Sequence, residues 1–153
     1  MNKQDKLKVS LPWLAGLVLG LALTAEASAP PGRYTITTDT VFDTVTGLTW
    51  QRNISATQYT WANATTYCQN LSLGGAVWRL PTIKELQTVV DIRASNPAID
   101  LTAFPAAPAA GFWSSTQGVD PGAPAANAWL VNFANGSTPA LLLTNTARVR
   151  CVR

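Results

Sequence analysis

The chain has 153 residues, of which 11 are lysine or arginine and 8 are aspartate or glutamate, and it contains no histidine. This length accommodates one domain with a modest hydrophobic core. The small positive charge does not indicate a nucleic-acid-binding protein. The lack of histidine removes the usual general base and the commonest metal ligand, which excludes histidine-based catalysis and histidine-based metal sites.

The N-terminus has the order of a secretory signal peptide. Three lysines within the first eight residues precede the apolar run Leu11–Leu23, and small residues follow at positions 25 and 27. We expect cleavage after Ala27, because a cut after Ala29 would place Pro30 next to the scissile bond. The apolar run is shorter than the ~20 residues that a spanning helix requires, so an uncleaved anchor is the less favoured alternative. The prediction is export to the periplasm, the extracellular space or the cell surface, with no membrane span after residues 1–27 are removed.

The chain contains two cysteines, Cys68 and Cys151. In an exported protein an even number of cysteines indicates disulfide bonding, and two cysteines allow only one intramolecular pair. Two buried free thiols are the alternative.

The first part of the mature chain predicts a short linker and strands. Residues 28–38 comprise a small, proline-rich linker and a strand at Tyr34–Thr38, and residues 39–153 form the domain proper. Strands at Val41–Asp43 and Leu48–Arg52 flank a turn at Thr46-Gly47.

Two helices are predicted next, each with an N-terminal signal and an apolar face. Thr60 precedes the first helix, which Gly74-Gly75 is expected to end. Thr82 and Glu85 form a capping-box pattern at the start of the second. The apolar faces consist of Trp61, Ala64, Cys68 and Leu71 in the first helix and of Ile83, Leu86, Val89 and Val90 in the second.

The C-terminal half predicts short strands and long loops. Residues 96–110 and 117–127 are rich in small residues and proline, and Asn135-Gly136 is a strong hairpin signal. The strands are expected at Phe112–Thr116, Ala128–Phe133, Ala140–Leu143 and Arg148–Val152, with Trp129, Val131 and Phe133 on one face of the second. Strands, two helices and further strands in this order indicate an α+β fold with antiparallel sheets.

The order and spacing of several short motifs resemble a known domain family. This is the family once called domain of unknown function 1566 and now named for the C-terminal domain of a Legionella collagen-like protein. The resemblance covers about residues 39–153. The matching pieces are Thr46–Arg52, Trp61–Ala64, Tyr67-Cys68, Trp78–Thr82, Glu85-Leu86, Ile99-Asp100, Phe104-Pro105, Phe112–Thr116, Ala128–Phe133, Gly136 and Val149–Arg153.

The resemblance implies a C-type lectin-like fold, similar also to formylglycine-generating enzymes. It implies two helices packed on antiparallel sheets, long C-terminal loops and one disulfide that joins Cys68 on the first helix to Cys151 on the last strand. The Glu-Pro-Asn, Gln-Pro-Asp and Trp-Asn-Asp triplets with which sugar-binding C-type lectins hold calcium are missing from the sequence. Bridged cysteines also cannot supply the chemistry of formylglycine-generating enzymes. We therefore expect no cofactor, no metal and no catalytic residue, and a carboxylate-based hydrolase is the remaining enzymatic alternative.

The expected function is ligand binding, with a glycan, a sulfated polysaccharide or a surface protein as the partner. A structural or assembly component of the cell envelope, such as a pilus-like complex, is the alternative. Sequence does not define the oligomeric state.

Two sets of residues are candidates for the ligand site. The loop Gln117–Asn127 lies between two predicted strands, and long loops on a rigid scaffold often carry function. Amide, hydroxyl and carboxylate groups at and near this loop are expected to converge at one end of the sheet: Gln117, Asp120, Asn127, Asn135, Ser137 and Asn145. Arg148 and Arg150, two apart on one strand, form the second set and would suit sulfate groups; a solvated strand face is the alternative.

Other conspicuous residues are expected to be structural. Arg79 is predicted to pair with a nearby carboxylate such as Glu85 or Asp91 or to hydrogen-bond loop carbonyls, and an anionic ligand is the alternative. At least four of five tryptophans are expected in the core, because aromatic side chains dominate protein interiors: Trp50, Trp61, Trp78, Trp113 and Trp129.

Overall fold

The computed structural model of the protein describes residues 29–118 and 125–153. The proposed signal peptide lies outside these residues. The described chain forms an α+β domain with two three-stranded antiparallel sheets and two short helices, as expected. No helix within the two described segments is long and apolar enough to cross a membrane.

The first sheet is a meander of β1 (Tyr34–Ile36), β2 (Thr40–Asp43) and β3 (Leu48–Gln51). Gly47 has a φ of 71° in the turn between β2 and β3, a conformation that glycine adopts without steric cost. The predicted strand–turn–strand unit is therefore confirmed.

The helices are α1 (Trp61–Gln69) and α2 (Ile83–Thr88). Ala64 and Cys68 on α1 are buried, as their spacing predicts. The helix ends at Gln69, with Asn70 as its C-terminal cap, rather than at Gly74-Gly75, because the Leu71 amide donates a hydrogen bond to the carbonyl oxygen of Cys68 and tightens the last turn. Residues 73–75 form a separate 3₁₀ turn.

The capping box of α2 is present. Thr82 Oγ1 accepts a hydrogen bond from the Glu85 amide, and the Glu85 carboxylate accepts one from the Thr82 amide. Leu86 and Val89 reach the core, which confirms the predicted apolar face.

The second sheet comprises β4 (Gly111–Gln117), β5 (Asn127–Asn132) and β6 (Ala140–Leu142). Its two faces contact different core clusters. Phe112 and Val131 belong to one cluster, whereas Trp113 and Leu130 belong to the other. The sheet is therefore covered on both faces over much of its area.

Trp129 departs from the predicted one-faced pattern of β5. Val131 and Phe133 are buried, but Trp129 is 40% exposed. It pairs with Ala140 of the edge strand β6 and does not belong to the core cluster that contains Val131. Trp50, Trp78 and Trp113 are fully buried and Trp61 is half-buried, so the structural role holds for these four.

The C-terminal segment does not form the regular strand predicted at Arg148–Val152. It makes isolated bridges instead: Arg148 pairs with Phe112, and Val152 pairs with both Trp50 and Arg79. The last residues thereby connect the two sheets.

A disulfide joins Cys68 on α1 to this C-terminal segment at Cys151. The two Cα atoms are 5.4 Å apart, and both side chains are fully buried. The predicted pairing is confirmed, and it fixes α1 against a segment 83 residues away in sequence.

Candidate ligand-binding site

The structure brings three of the loop candidates to one end of the second sheet. The Gly118 amide donates a 2.9 Å hydrogen bond to the carbonyl oxygen of Asn127, which closes the base of the loop beyond Gln117. Asn145 lies in the turn that follows β6 at the same end. Asp120 lies outside the described residues.

Asn135 and Ser137 lie at the opposite end of this sheet, contrary to expectation. Because β5 runs from Asn127 to Asn132, its two ends are separated by about 17 Å. The Asn135 side chain accepts a hydrogen bond from the Ser137 amide, which stabilises the hairpin itself. Because Asn135 and Ser137 lie at the other end of the sheet, the six loop candidates do not form a single site.

The paired-arginine surface predicted at Arg148 and Arg150 does not exist, because Arg150 is fully buried. Its Nη1 donates hydrogen bonds of 2.6 and 2.8 Å to the carbonyl oxygens of Gln51 and Arg52. The guanidinium also lies 4.5 Å from the centre of the Phe104 ring. A polysaccharide cannot reach this group.

Burial lowers the pKa of Arg150 to about 9, since a desolvated cation loses its hydration. The two carbonyl bonds and the cation–π contact offset part of that cost. Arg148 is half-buried, and its Nη1 donates to the carbonyl oxygen of Ala56. Both arginines thus have structural partners inside the domain.

Three other arginines form ion pairs with carboxylates. Arg79 makes two hydrogen bonds to Glu85, of 2.8 and 2.7 Å, which confirms its predicted structural role. This contact, together with hydrogen bonds from Thr82, lowers the pKa of Glu85 to about 2. The other pairs are Arg33–Asp43, at 2.8 Å, and Arg93–Asp91, at 3.3 Å.

The buried carboxylates have structural partners too. Asp100 accepts hydrogen bonds from the backbone amides of Ala29, Thr102 and Ala103. Asp43 is fully buried beside Arg33, whose hydrogen bond lowers the pKa of Asp43 against the opposing effect of burial. Over residues 29–118 and 125–153, no group of three or more histidine, cysteine, aspartate or glutamate side chains is placed to hold a metal ion.

A groove of about 450 Å³ lies along α1. It is shallow and open, within the usual size range of ligand sites. It combines aromatic, amide and hydroxyl groups, and its lining residues are Tyr59, Asn63, Thr66, Tyr67, Asn70, Leu71 and Ser72.

The helical repeat places four of these residues in one stripe. Asn63, Thr66, Tyr67 and Asn70 are spaced at i, i+3, i+4 and i+7, so they share one face of α1. The other face of α1 packs against the core through Ala64 and Cys68. The helix therefore presents a polar, partly aromatic face to the groove.

The side-chain amides of Asn63 and Asn70 are available to a ligand. Both residues are exposed, and neither amide hydrogen-bonds another side chain or backbone group of the described chain. Each amide offers two donor hydrogens and one acceptor oxygen.

Tyr59 and Tyr67 form the aromatic part of the groove. Their ring centres are 5.0 Å apart with an angle of 30° between the planes. Gln51 Nε2 donates a 2.9 Å hydrogen bond to the Tyr67 hydroxyl, and the Tyr59 backbone pairs with Ala147. Both tyrosines are therefore held in place by elements outside α1.

Sequence reasoning missed this groove. The polar stripe from Asn63 to Asn70 is visible in the sequence as a helical repeat, and it lies opposite the apolar face that was identified. Tyr59 precedes α1 and contacts Tyr67 only because distant residues position its backbone. The stripe was therefore predictable, whereas the aromatic pair was not.

Comparison with protein families gives a match over residues 39–153 to the Lcl C-terminal domain. This range covers most of the chain, and the protein belongs to the Lcl C-terminal domain family. A search of curated proteins gave no match.

Proposed function

We propose that this protein is an exported, non-catalytic binding module whose ligand occupies the α1 groove. One observation carries the proposal. The stacked rings of Tyr59 and Tyr67 border the same groove as the side-chain amides of Asn63 and Asn70, which have no hydrogen-bond partner in the described chain. Ligand sites typically combine apolar or aromatic surface with a few convergent polar groups.

Most carboxylates of the described chain already have ion-pair or hydrogen-bond partners within the domain, which supports a binding role over a hydrolytic one. Glycosidases use two carboxyl groups that face a common cleft. Here Asp43 and Glu85 are paired with arginines, and Asp100 accepts three backbone hydrogen bonds. None of these groups lines the α1 groove.

The disulfide supports the proposal of export. Structural disulfides persist in oxidising compartments such as the periplasm or the extracellular space. We propose accordingly that residues 1–27 are a signal peptide and that the Cys68–Cys151 bond forms after translocation. A C-type lectin-like arrangement of the sheets and helices is part of the same proposal.

Variants of the groove test the proposal. The mature protein, residues 28–153, is applied to an array of neutral glycans, sulfated glycans and surface proteins, beside Asn63→Ala/Asn70→Ala. Gln69→Ala, an exposed change on α1 outside the groove, is the matched control. Binding that the double variant loses and the control retains supports the groove. Binding that both variants retain would show that the ligand lies elsewhere.

A structural or assembly role is the second candidate, and one surface favours it. Trp129 and Leu142 are 40% and 53% exposed and lie on the same face of the second sheet, beside its edge strand β6. Trp129 is on the central strand β5 and Leu142 on β6, and exposed apolar side chains near the edge of a sheet suit contact with another protein. Trp129→Ser should abolish assembly in a co-purification experiment if this surface is the functional one, and should leave groove binding unchanged.

A further inference from the structure

We infer that the α1 groove binds an uncharged oligosaccharide chain. This inference rests on the proposed function and adds the chemical class of the ligand. Three features of the groove carry it: the lack of charge in its lining, its aromatic surface and the separation of its amides.

None of the seven lining residues carries a charge at neutral pH. A site for a sulfated or carboxylated ligand would require cations that face it. The lining contains no lysine or arginine; Arg33 and Arg79 pair with carboxylates elsewhere in the domain, and Arg150 is buried. A neutral ligand is therefore the better chemical match.

The tyrosine rings offer a surface for the apolar face of a sugar ring. An aromatic face is electron-rich, so it attracts the weakly positive C–H groups of a pyranose. Tyr59 and Tyr67 are half-buried against the core cluster that contains Trp113 and Leu130, and both border the groove. Stacking of this kind discriminates a saccharide from a fully polar ligand.

The asparagine amides lie along the path that such a chain would follow. Asn63 and Asn70 are seven residues apart on α1 and its C-terminal cap, or about 10 Å along the helix axis. An amide can donate and accept at once, which matches adjacent hydroxyl groups of a sugar. Two amides at this separation are suited to different units of a chain, and the open groove permits the chain to continue at both ends.

The groove is also ordered before a ligand arrives. Gln51 fixes the Tyr67 hydroxyl, and the neighbouring Cys68 is joined to Cys151. Preformed geometry reduces the entropy lost on binding.

Isothermal titration calorimetry with defined probes tests the inference. The probes are cellohexaose, maltohexaose and chitohexaose, together with a heparin octasaccharide as the polyanion, each at 20 and 300 mM NaCl. We expect at least one neutral hexasaccharide to bind with an affinity that is the same within twofold at both salt concentrations, because charge screening does not affect a neutral ligand.

Two groove variants and a control sharpen the measurement. Asn63→Ala/Asn70→Ala should weaken that binding roughly tenfold, since two hydrogen bonds are lost. Tyr59→Leu should weaken it by a similar factor through loss of the ring face, and Gln69→Ala should change it less than twofold. Thermal unfolding of each variant verifies that it is folded.

The outcomes separate the inference from the proposed function. No binding of any neutral probe would overturn the inference, whether or not heparin binds. Groove-dependent binding of heparin alone would overturn it while the proposed function stands. Neutral binding that the groove variants leave unchanged would overturn both.

Discussion

Gln51 connects the Tyr67 hydroxyl to the disulfide region. Its Nε2 donates to Tyr67 at 2.9 Å, and its Oε1 accepts a 3.2 Å hydrogen bond from the Cys151 amide. Gln51 is almost fully buried, so both bonds form away from solvent. The first sheet therefore supports the groove through one side chain.

Replacement of this side chain should disturb both stability and binding. We expect Gln51→Ala to lower the free energy of unfolding by about 2 kcal/mol, because it leaves the buried Cys151 amide without its partner. Urea unfolding followed by tryptophan fluorescence measures this. As a control, the exposed Gln69→Ala should change the free energy of unfolding by no more than about 0.5 kcal/mol. A change as small as this for Gln51→Ala would contradict the role assigned to Gln51.

The disulfide should be the largest single contribution to stability. Closure of its loop is worth about 4–5 kcal/mol by the chain-entropy relation, so Cys68→Ser/Cys151→Ser should lose an amount of that order. Mass spectrometry of an unreduced digest should show one peptide pair linked through Cys68 and Cys151. Two thiols that react freely with an alkylating agent in the native protein would refute the bond.

Glu85 should make the stability of the domain sensitive to acid. Its pKa is about 2 in the folded protein against an ordinary value of 4.5. A lowered folded pKa gives stability that is complete above the unfolded value and is lost as the pH falls through the folded one. The Glu85 contribution should therefore disappear between about pH 4.5 and pH 2.

Glu85→Gln should flatten the pH dependence of unfolding in that interval. Thr82→Ala, which removes the other half of the capping box, should cost about 1 kcal/mol and keep the acid sensitivity that comes from Arg79. Urea unfolding at pH 7, 4 and 2.5 distinguishes the two. Identical pH profiles for Glu85→Gln and the native chain would contradict the assignment.

Arg150 should affect folding and leave polyanion binding unchanged. Arg150→Ala removes a buried side chain from the Phe104 ring and from two backbone carbonyls, with an expected cost of about 3 kcal/mol. Arg150→Met retains most of the packing and should cost less. Earlier elution of folded Arg150→Met from a heparin column would show that Arg150 is accessible after all.

Local pattern was sufficient for much of this fold. The helical spacing of Ala64 and Cys68 predicts their burial, and the Thr82–Glu85 pattern predicts a capping box, because both depend on residues within one or two turns. Predictions from local pattern were wrong where long-range contacts determine the position of a residue. The spacing of Arg148 and Arg150 on a predicted strand suggests one shared face that a ligand can reach, but the C-terminal segment bridges both sheets and places Arg150 beside Phe104.

The ligand site shows the same division. The stripe of Asn63, Thr66 and Asn70 on α1 follows from helical periodicity alone. The stack of Tyr59 on Tyr67 depends on the bridge between Tyr59 and Ala147, which are 88 positions apart in the sequence. Asn127 and Asn135, by contrast, flank the predicted strand Ala128–Phe133, so the sequence pattern itself places them at opposite ends of the strand, against the expected convergence.

Chemical-shift mapping by NMR tests the central claim most directly. A ¹⁵N-labelled mature protein is titrated with the neutral hexasaccharide that binds most tightly. The groove predicts that the largest shifts fall on backbone amides of residues 59–72 and on the side-chain amides of Asn63 and Asn70. Shifts confined to residues around Gln117 and Asn127, or to β6, with no change along α1, would contradict the account.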